Sequence, residues 1–349
     1  MSEIQELYKT KSTSDNHQDT NLEIYTESTE SNSNDGSETT SENKSSDNKE
    51  ESIEFLLKQQ EKKRKKYLAG FTIIPIISAF ALHYLFNLLG SYDFSITVMS
   101  VFLLVFILYK IAFKSNSEFY KTKILPQIIR QATKDYNIDG RIRYNDYEIS
   151  VDNVEEFNSN ELFSYCNNAE IEDSFYGKMN NVDFLFRELS LIYKARKSSD
   201  TLFKGINIRI QYNDIVASRT LFNMETSIFA GDKYKKIKTN DENLNNLYEI
   251  YSNDFEGTSQ MLTSKFRDKL INLSQAARKL TEDSTDEIRI LANLNVLDIY
   301  IPCGINLFES SFFTKMTLEK IEEEKHKIKV FLDIIEMFTT NVNYLGFEE

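Results

Sequence analysis

Hydrophobic and polar positions divide the chain into three unequal stretches. In residues 1–50 the apolar positions are scattered, with no helical or strand period. Two unbroken apolar runs follow, Tyr67–Leu89 (YLAGFTIIPIISAFALHYLFNLL) and Phe94–Phe113 (FSITVMSVFLLVFILYKIAF). At ~1.5 Å per residue they make helices of ~34 and ~30 Å, long enough to cross a hydrocarbon core of ~30 Å. Only Gly90, Ser91, Tyr92 and Asp93 separate them, so they are expected to return antiparallel as a transmembrane hairpin over 67–113. Just before them, Ile53, Leu56 and Leu57 recur at helical spacing. Segment 51–66 is therefore an amphipathic, basic juxtamembrane helix that either lies on the bilayer or extends the first span.

Beyond the second run the pattern becomes that of a globular domain, 115–349. Tyr120, Ile124, Ile128 and Ala132 give Glu118–Tyr136 a helical period, with Pro126 in a first turn or at a break. The period then falls to two. Ile206, Ile208, Ile210 and Tyr212 alternate with Asn207, Arg209 and Gln211 as a half-buried strand. Val182, Phe184 and Phe186 alternate likewise, and Leu189, Leu191 and Tyr193 resume one residue out of phase, a slip at Arg187–Glu188 that a β-bulge would produce. Asn180–Asn181 and Asn293–Leu294–Asn295 are expected hairpin turns, because Asn tolerates left-handed backbone angles. Helices are expected over Met261–Leu280 and Thr317–Phe338, the latter packing on its own sheet in preference to forming a coiled coil. The fold class is α+β with a mainly antiparallel sheet and flanking helices.

Charge changes this picture in two ways. The chain has 349 residues and a net charge of −13, unevenly placed. Residues 1–50 hold 12 acidic groups, 4 lysines and 17 Ser or Thr, too little apolar surface to offset ordering entropy, so this acidic tail is expected to be disordered. Lys62, Lys63, Arg64, Lys65 and Lys66 abut the first span, and Lys110, Lys114, Lys121 and Lys123 close the second, whereas the connecting loop has no basic residue. The positive-inside rule then puts both termini in the cytoplasm, and the basic block before the span is suited to anionic lipid headgroups. The domain itself carries about −9, which makes nucleic acid a poor partner. Cys166 and Cys303 have no companion at ligand spacing, so neither a disulfide framework nor a zinc site is expected, and no sequence feature calls for a cofactor.

Ile171-Glu172-Asp173-Ser174-Phe175-Tyr176-Gly177, Phe203-Lys204-Gly205, Tyr248-Glu249-Ile250-Tyr251-Ser252-Asn253-Asp254 followed by Leu262-Thr263, and Asn306-Leu307-Phe308-Glu309 occur in an order that resembles the bacterial membrane-protein family catalogued as domain of unknown function 3137. The resemblance spans roughly Phe119–Phe338. It implies a bacterial cytoplasmic-membrane setting with two spans ahead of the domain, and it implies no activity. The tail before Ser52 falls outside the family pattern, and Glu256-Gly257-Thr258 stands where an acidic-Ala-Arg segment is expected.

No catalytic constellation is legible. His326 lies in a Lys- and Glu-rich helix face and reads as a solvated surface residue; His83, near the outer end of the first span, has no ionisable companion for a proton relay. Glu172 and Asp173 are paired carboxylates of a kind that binds cations or splits pKa values, but adjacent strand residues point to opposite faces, so convergence with Asp183 and Glu188 would have to come from a hairpin. Gly177 and Gly205 are isolated and mark a bulge or a close strand approach, not a phosphate loop. Asp254 is placed to cap a following helix. The candidate contacts for a ligand or partner are thus Glu172, Asp173, Gly177, Glu188, Phe203, Lys204, Gly205 and Asp254. The overall reading is a non-enzymatic, membrane-anchored cytoplasmic interaction module with an unidentified protein partner. Its rivals are a carboxylate-based or metal-dependent enzyme and, more weakly, a subunit of a transport-related assembly.

Overall fold

The computed structural model describes residues 22–25, 52–88, 94–145, 149–151, 154–213, 217–224, 233–278, 287–303, 307–309 and 312–340. The rest of the N-terminal tail, the loop Gly90–Asp93 and Asn306 lie outside the described residues.

Both apolar runs are helices, and both are longer than the runs that define them. Helix α1 covers Ile53–Leu88 and α2 covers Phe94–Phe119. The juxtamembrane segment is therefore a continuation of the first helix, the second of the two arrangements its periodicity allowed. Pro75 is accommodated inside α1, where its carbonyl accepts a hydrogen bond from Ser78 Oγ at 2.9 Å. The two helices are long and apolar enough to cross a membrane. Their middles are bare: Ile73, Ile77, Phe80 and Tyr84 on α1 and Met99, Phe102, Leu103 and Phe106 on α2 are exposed apolar side chains. Their other ends are not. Leu56, Gln60, Ala112 and Asn116 are buried, Gln60 Nε2 donates to Asn116 Oδ1 at 3.4 Å, and Leu56 joins the core of the domain.

Helix α2 does not stop where the apolar run stops. It runs into a π-helical turn, Tyr120–Ile124, in which Leu125 N–H donates to Tyr120 O five residues back, and then into α3, Leu125–Ala132, with Pro126 in its first turn. Short helices α4 (Glu155–Asn158), α5 (Glu242–Leu247) and α6 (Phe255–Met261) and the longer α7 (Ser264–Arg278) and α8 (Leu318–Thr339) are the other α-helices among the described residues. The helix expected over 261–280 is α7, which starts three residues later than expected because Met261 ends α6 and Thr263 Oγ1 accepts from Phe266 N–H at 3.3 Å; Lys279 and Leu280 lie outside the described residues. Thr317 caps α8 by accepting from Lys320 N–H.

Among the described residues eleven strands make one antiparallel sheet: β1 Leu22–Tyr25, β2 Arg141–Asn145, β3 Ile149–Val151, β4 Asn168–Met179, β5 Val182–Lys194, β6 Ser199–Gln211, β7 Ala217–Phe222, β8 Lys235–Ile237, β9 Ile250–Ser252, β10 Arg289–Leu294 and β11 Val296–Pro302. The order is β1-β2-β4-β5-β6-β11-β10-β7-β9-β8, with β3 beside β4. The α+β class and the antiparallel sheet are as the alternation predicts. Asn180 and Asn181, at φ +52° and +63°, form the β4–β5 turn. In the β10–β11 turn it is Leu294, at φ +52°, that takes the left-handed conformation. β1 lies within the acidic tail and pairs antiparallel with β2.

The sheet is covered on both faces. The main core joins α3, α7, α8 and the inner ends of α1 and α2 to one face through Phe175, Phe186, Ile208, Ile299 and Phe331, with α8 on its own sheet as expected. The second core lies on the other face, where Phe163 fits between Phe203 and Tyr300 at ring distances of 5.1 and 5.0 Å. Two expectations change as a result. Asn207 is fully buried, so β6 is not half-solvated at its middle. The phase slip in β5 is not a bulge in that strand: Phe184 and Phe186 belong to the first core and Leu189 and Leu191 to the second. The bulge is in its neighbour β4, where Glu172 pairs with Glu188 and Ser174 with Arg187, leaving Asp173 as the extra residue.

Candidate functional site

That bulge makes the site. In a regular strand Glu172 and Asp173 would face opposite ways; an extra residue turns the second toward the same side as the first. Glu172 faces the sheet side of its partner Glu188, and carboxylate oxygens of Glu172, Asp173 and Glu188 all lie within 4.8 Å of one another. The sequence offered these three residues as candidates and gave a geometric argument against their convergence, which the bulge overturns. Asp183 does not join them. It sits at the hairpin end opposite Lys178, with carboxylate and ammonium 3.8 Å apart.

Asp173 is 0% exposed and Glu188 7% exposed. Asp173 accepts from Tyr144 OH at 2.5 Å through Oδ1 and pairs with Lys121 Nζ at 2.8 Å through Oδ2. Lys121 arrives from the π-helical turn, so the charge that answers Asp173 is carried by the continuation of α2. Glu188 Oε1 accepts from Leu307 N–H at 2.5 Å; its Oε2 is buried and has no hydrogen-bond partner among the described residues. Burial, with Asp173 and Glu172 adding repulsion, pushes the Glu188 carboxyl up to about 8, against the pull of the Leu307 N–H and of Lys121. Lys121 is held above its ordinary value: burial lowers it, and Asp173 more than compensates.

A shallow depression opens beside Glu188, lined by Glu170, Glu172, Ser190, Lys204, Gly205 and Cys303. Lys204 and Gly205 therefore belong with the carboxylates. Gly205 has a structural task as well: a Cβ there would run into Ile301 O and lie 2.7 Å from Cys303 N, so β6 and β11 meet too closely for any side chain. Gly177 is tight in a lesser way, its absent Cβ 3.2 Å from the Phe184 ring. Phe203 points to the other face, into the second core. Asp254 is the N-cap of α6, accepting from Gly257 N–H at 3.0 Å, and stands apart from the carboxylates. Of the basic block, Lys62, Lys63, Lys65 and Lys66 are exposed, whereas Arg64 is engaged by Glu61 at 2.8 Å and by Phe313 O at 3.2 Å.

A second charged group, on the opposite face, was not anticipated. Arg209 binds both Asp298 oxygens at 2.7 and 2.8 Å and also Glu156 at 2.6 Å, and Arg187 holds Glu156 at 2.7 Å and Asn207 at 2.8 Å. The two guanidinium groups hold the Glu156 carboxyl down to about 2, although burial acts to raise it. Charged residues at alternating positions of central strands, Arg187, Arg209 and Asp298, were the available signal. The group is internally matched, as a structural ion network is.

No curated protein matches the chain. One solved structure similar to part of it is the crystal structure of the mycobacterial trehalose monomycolate transport factor A, TtfA, at 8% identity, covering 60% of this chain and 94% of that one. Its TM-score of 0.27 is too low for a shared fold to be read from it. The three carboxylates and the helix pair lie before the stretch that finds a family. Residues 201–340, from β6 to the end of α8, match the family described as "Protein of unknown function (DUF3137)", in agreement with the resemblance noted above.

Proposed function

We propose that the protein is a bacterial membrane-anchored module in which a cytoplasmic α+β domain, held rigidly on a two-helix anchor, binds a protein partner at the inner face of the cytoplasmic membrane. The observation that carries this reading is the division of α1 and α2 into exposed apolar middles and buried inner ends. A helix apolar all round yet exposed suits lipid and not water. Aromatic contacts at the inner ends of the two helices support this reading. Phe312 packs on Tyr67 and Phe71 at ring distances of 6.5 and 5.7 Å, and Phe313 stacks on Tyr109 at 5.8 Å. Tyr67 and Tyr109 thus sit where interfacial aromatics belong, just inside the basic residues. Lys62, Lys63, Lys65 and Lys66 then face the anionic headgroups.

The test is labelling of intact cells with a membrane-impermeant maleimide. A cysteine introduced at Ser91 should react from outside, and one introduced at Ser12 should react only after permeabilisation. Release of the protein by alkaline carbonate, or the reverse labelling, overturns the anchor. For the binding role, crosslinking in native membranes should yield the same partner repeatedly; recovery of none, with a hydrolytic activity lost in Glu172→Ala, favours the tethered enzyme instead.

A further inference from the structure

We propose that Glu172, Asp173 and Glu188 bind a divalent cation of the oxygen-preferring class, Mg2+, Ca2+ or Mn2+, where the sheet meets the continuation of α2. Three oxygens within 4.8 Å of one another fit around one cation, because two ligands at ~2.4 Å from a metal are at most ~4.8 Å apart. The donor set contains oxygen only, which favours hard cations over zinc or copper.

Three further observations point to a ligand and not merely to an acidic surface. First, Glu188 is 7% exposed, and its Oε2 has no hydrogen-bond partner among the described residues, an arrangement that is costly unless something occupies the space beside it. Second, Tyr120, the residue before Lys121, is 0% exposed and its hydroxyl has no hydrogen-bond partner among the described residues. Third, the remaining oxygens are oriented from outside as metal ligands are: Tyr144 OH fixes Asp173 Oδ1, and Leu307 N–H fixes Glu188 Oε1. Lys121, which pairs with Asp173 at 2.8 Å, is the positive charge with which a bound cation would compete. The depression beside Glu188 is the way in.

The full-length protein in detergent, stripped with chelator, is titrated with Mn2+ and followed by the paramagnetic resonance of the free ion. One Mn2+ per chain is expected, displaced by Ca2+ or Mg2+, with a rise in thermal midpoint on binding. Glu188→Gln and Asp173→Asn should each weaken binding by roughly 10–100-fold. Lys121→Met should strengthen it, since it removes a competing positive charge; this response distinguishes the site from scattered surface acids. Absence of saturable Mn2+ binding in the wild type overturns the proposal, as does binding that is unchanged in Glu188→Gln. A thermal midpoint indifferent to Mn2+ but raised by Glu188→Gln also overturns it, and identifies a proton shared between the carboxylates in place of a metal.

Discussion

Glu172 stands directly opposite Glu188 in the β4–β5 ladder, two acidic side chains on one face of neighbouring strands. Like charges at directly opposed positions are destabilising. With divalent cations chelated and the pH above about 8, where the Glu188 carboxyl is charged, Glu172→Gln should therefore raise the thermal midpoint of the protein, measured by calorimetry in detergent. A fall in midpoint would mean that Glu172 is held by contacts stronger than this repulsion.

Gly205→Ala should be among the most destabilising small substitutions in the domain. The added methyl would meet the backbone of Ile301, Pro302 and Cys303, which has no rotamer with which to retreat. Overpacking of this kind costs about 1–3 kcal/mol or more. Gly177→Ala meets the Phe184 ring and the Ile142 side chain, both able to shift, and should cost less. Chemical denaturation of the two variants ranks them, and equal costs would refute the backbone argument.

Arg209→Leu leaves Asp298, 1% exposed, without its bidentate partner and should cost about 3–5 kcal/mol. Adding Asp298→Leu should recover much of that loss, because the penalty lies in the stranded carboxylate and not in the missing pair. A double-mutant cycle reads the coupling.

The same network sets an acid limit. The Glu156 carboxyl is held at about 2 in the folded protein, below its unfolded value, so its contribution is complete above the ordinary carboxylate range. It is lost as pH falls from about 4.5 toward 2 and amounts to about 3 kcal/mol at most. Stability measured across that window should drop less steeply in Glu156→Gln than in the wild type; parallel curves would place the acid sensitivity elsewhere.

Phe312→Ala should loosen the domain from the long helices without unfolding the sheet. Its ring is buried between Tyr67 and Phe71, and large aromatic truncations cost about 3–5 kcal/mol at a packed contact. Faster proteolysis within the 312–317 segment, with an unchanged pattern from the strands, is the expected result. Phe313→Ala, at a side chain 65% exposed, should change proteolysis less.

The alternation of Ile206–Tyr212 and the Asn180–Asn181 turn made the sheet legible, because a two-residue period and left-handed Asn are local signals. The slip at Arg187–Glu188 was legible too, but not its cause. A bulge and a change of buried face break the apolar phase in the same way, and only the pairing shows that β5 changes core while β4 carries the extra residue. The carboxylate site depends on that distinction, so Glu172 and Asp173 were visible as a pair and their meeting with Glu188 was not. The start of α7 was set too early, at Met261 and not Ser264, because Met261 and Leu262 are buried and extend the apolar stripe beyond the helix that carries it. The Arg209–Asp298 pair was hidden by reading Arg209 as an outward residue, when the outward face has a cover of its own.

Leu56 and Tyr120 are buried in the domain's own core, and α2 runs through the π-helical turn into α3 without a loop, so the helix pair and the sheet share one frame. On the proposed topology this makes the domain a pointer fixed to its axle. A bilayer thinner or thicker than the apolar middles is accommodated by tilt, and tilt at Tyr67 and Tyr109 is delivered undiminished to Lys121 and to the sheet. The height and attitude of the domain over the membrane then follow acyl-chain length, which fluorescence distances between the sheet and the lipid surface, in vesicles of graded thickness, would register. A separation that stays constant from thin to thick vesicles would mean that the joint bends after all.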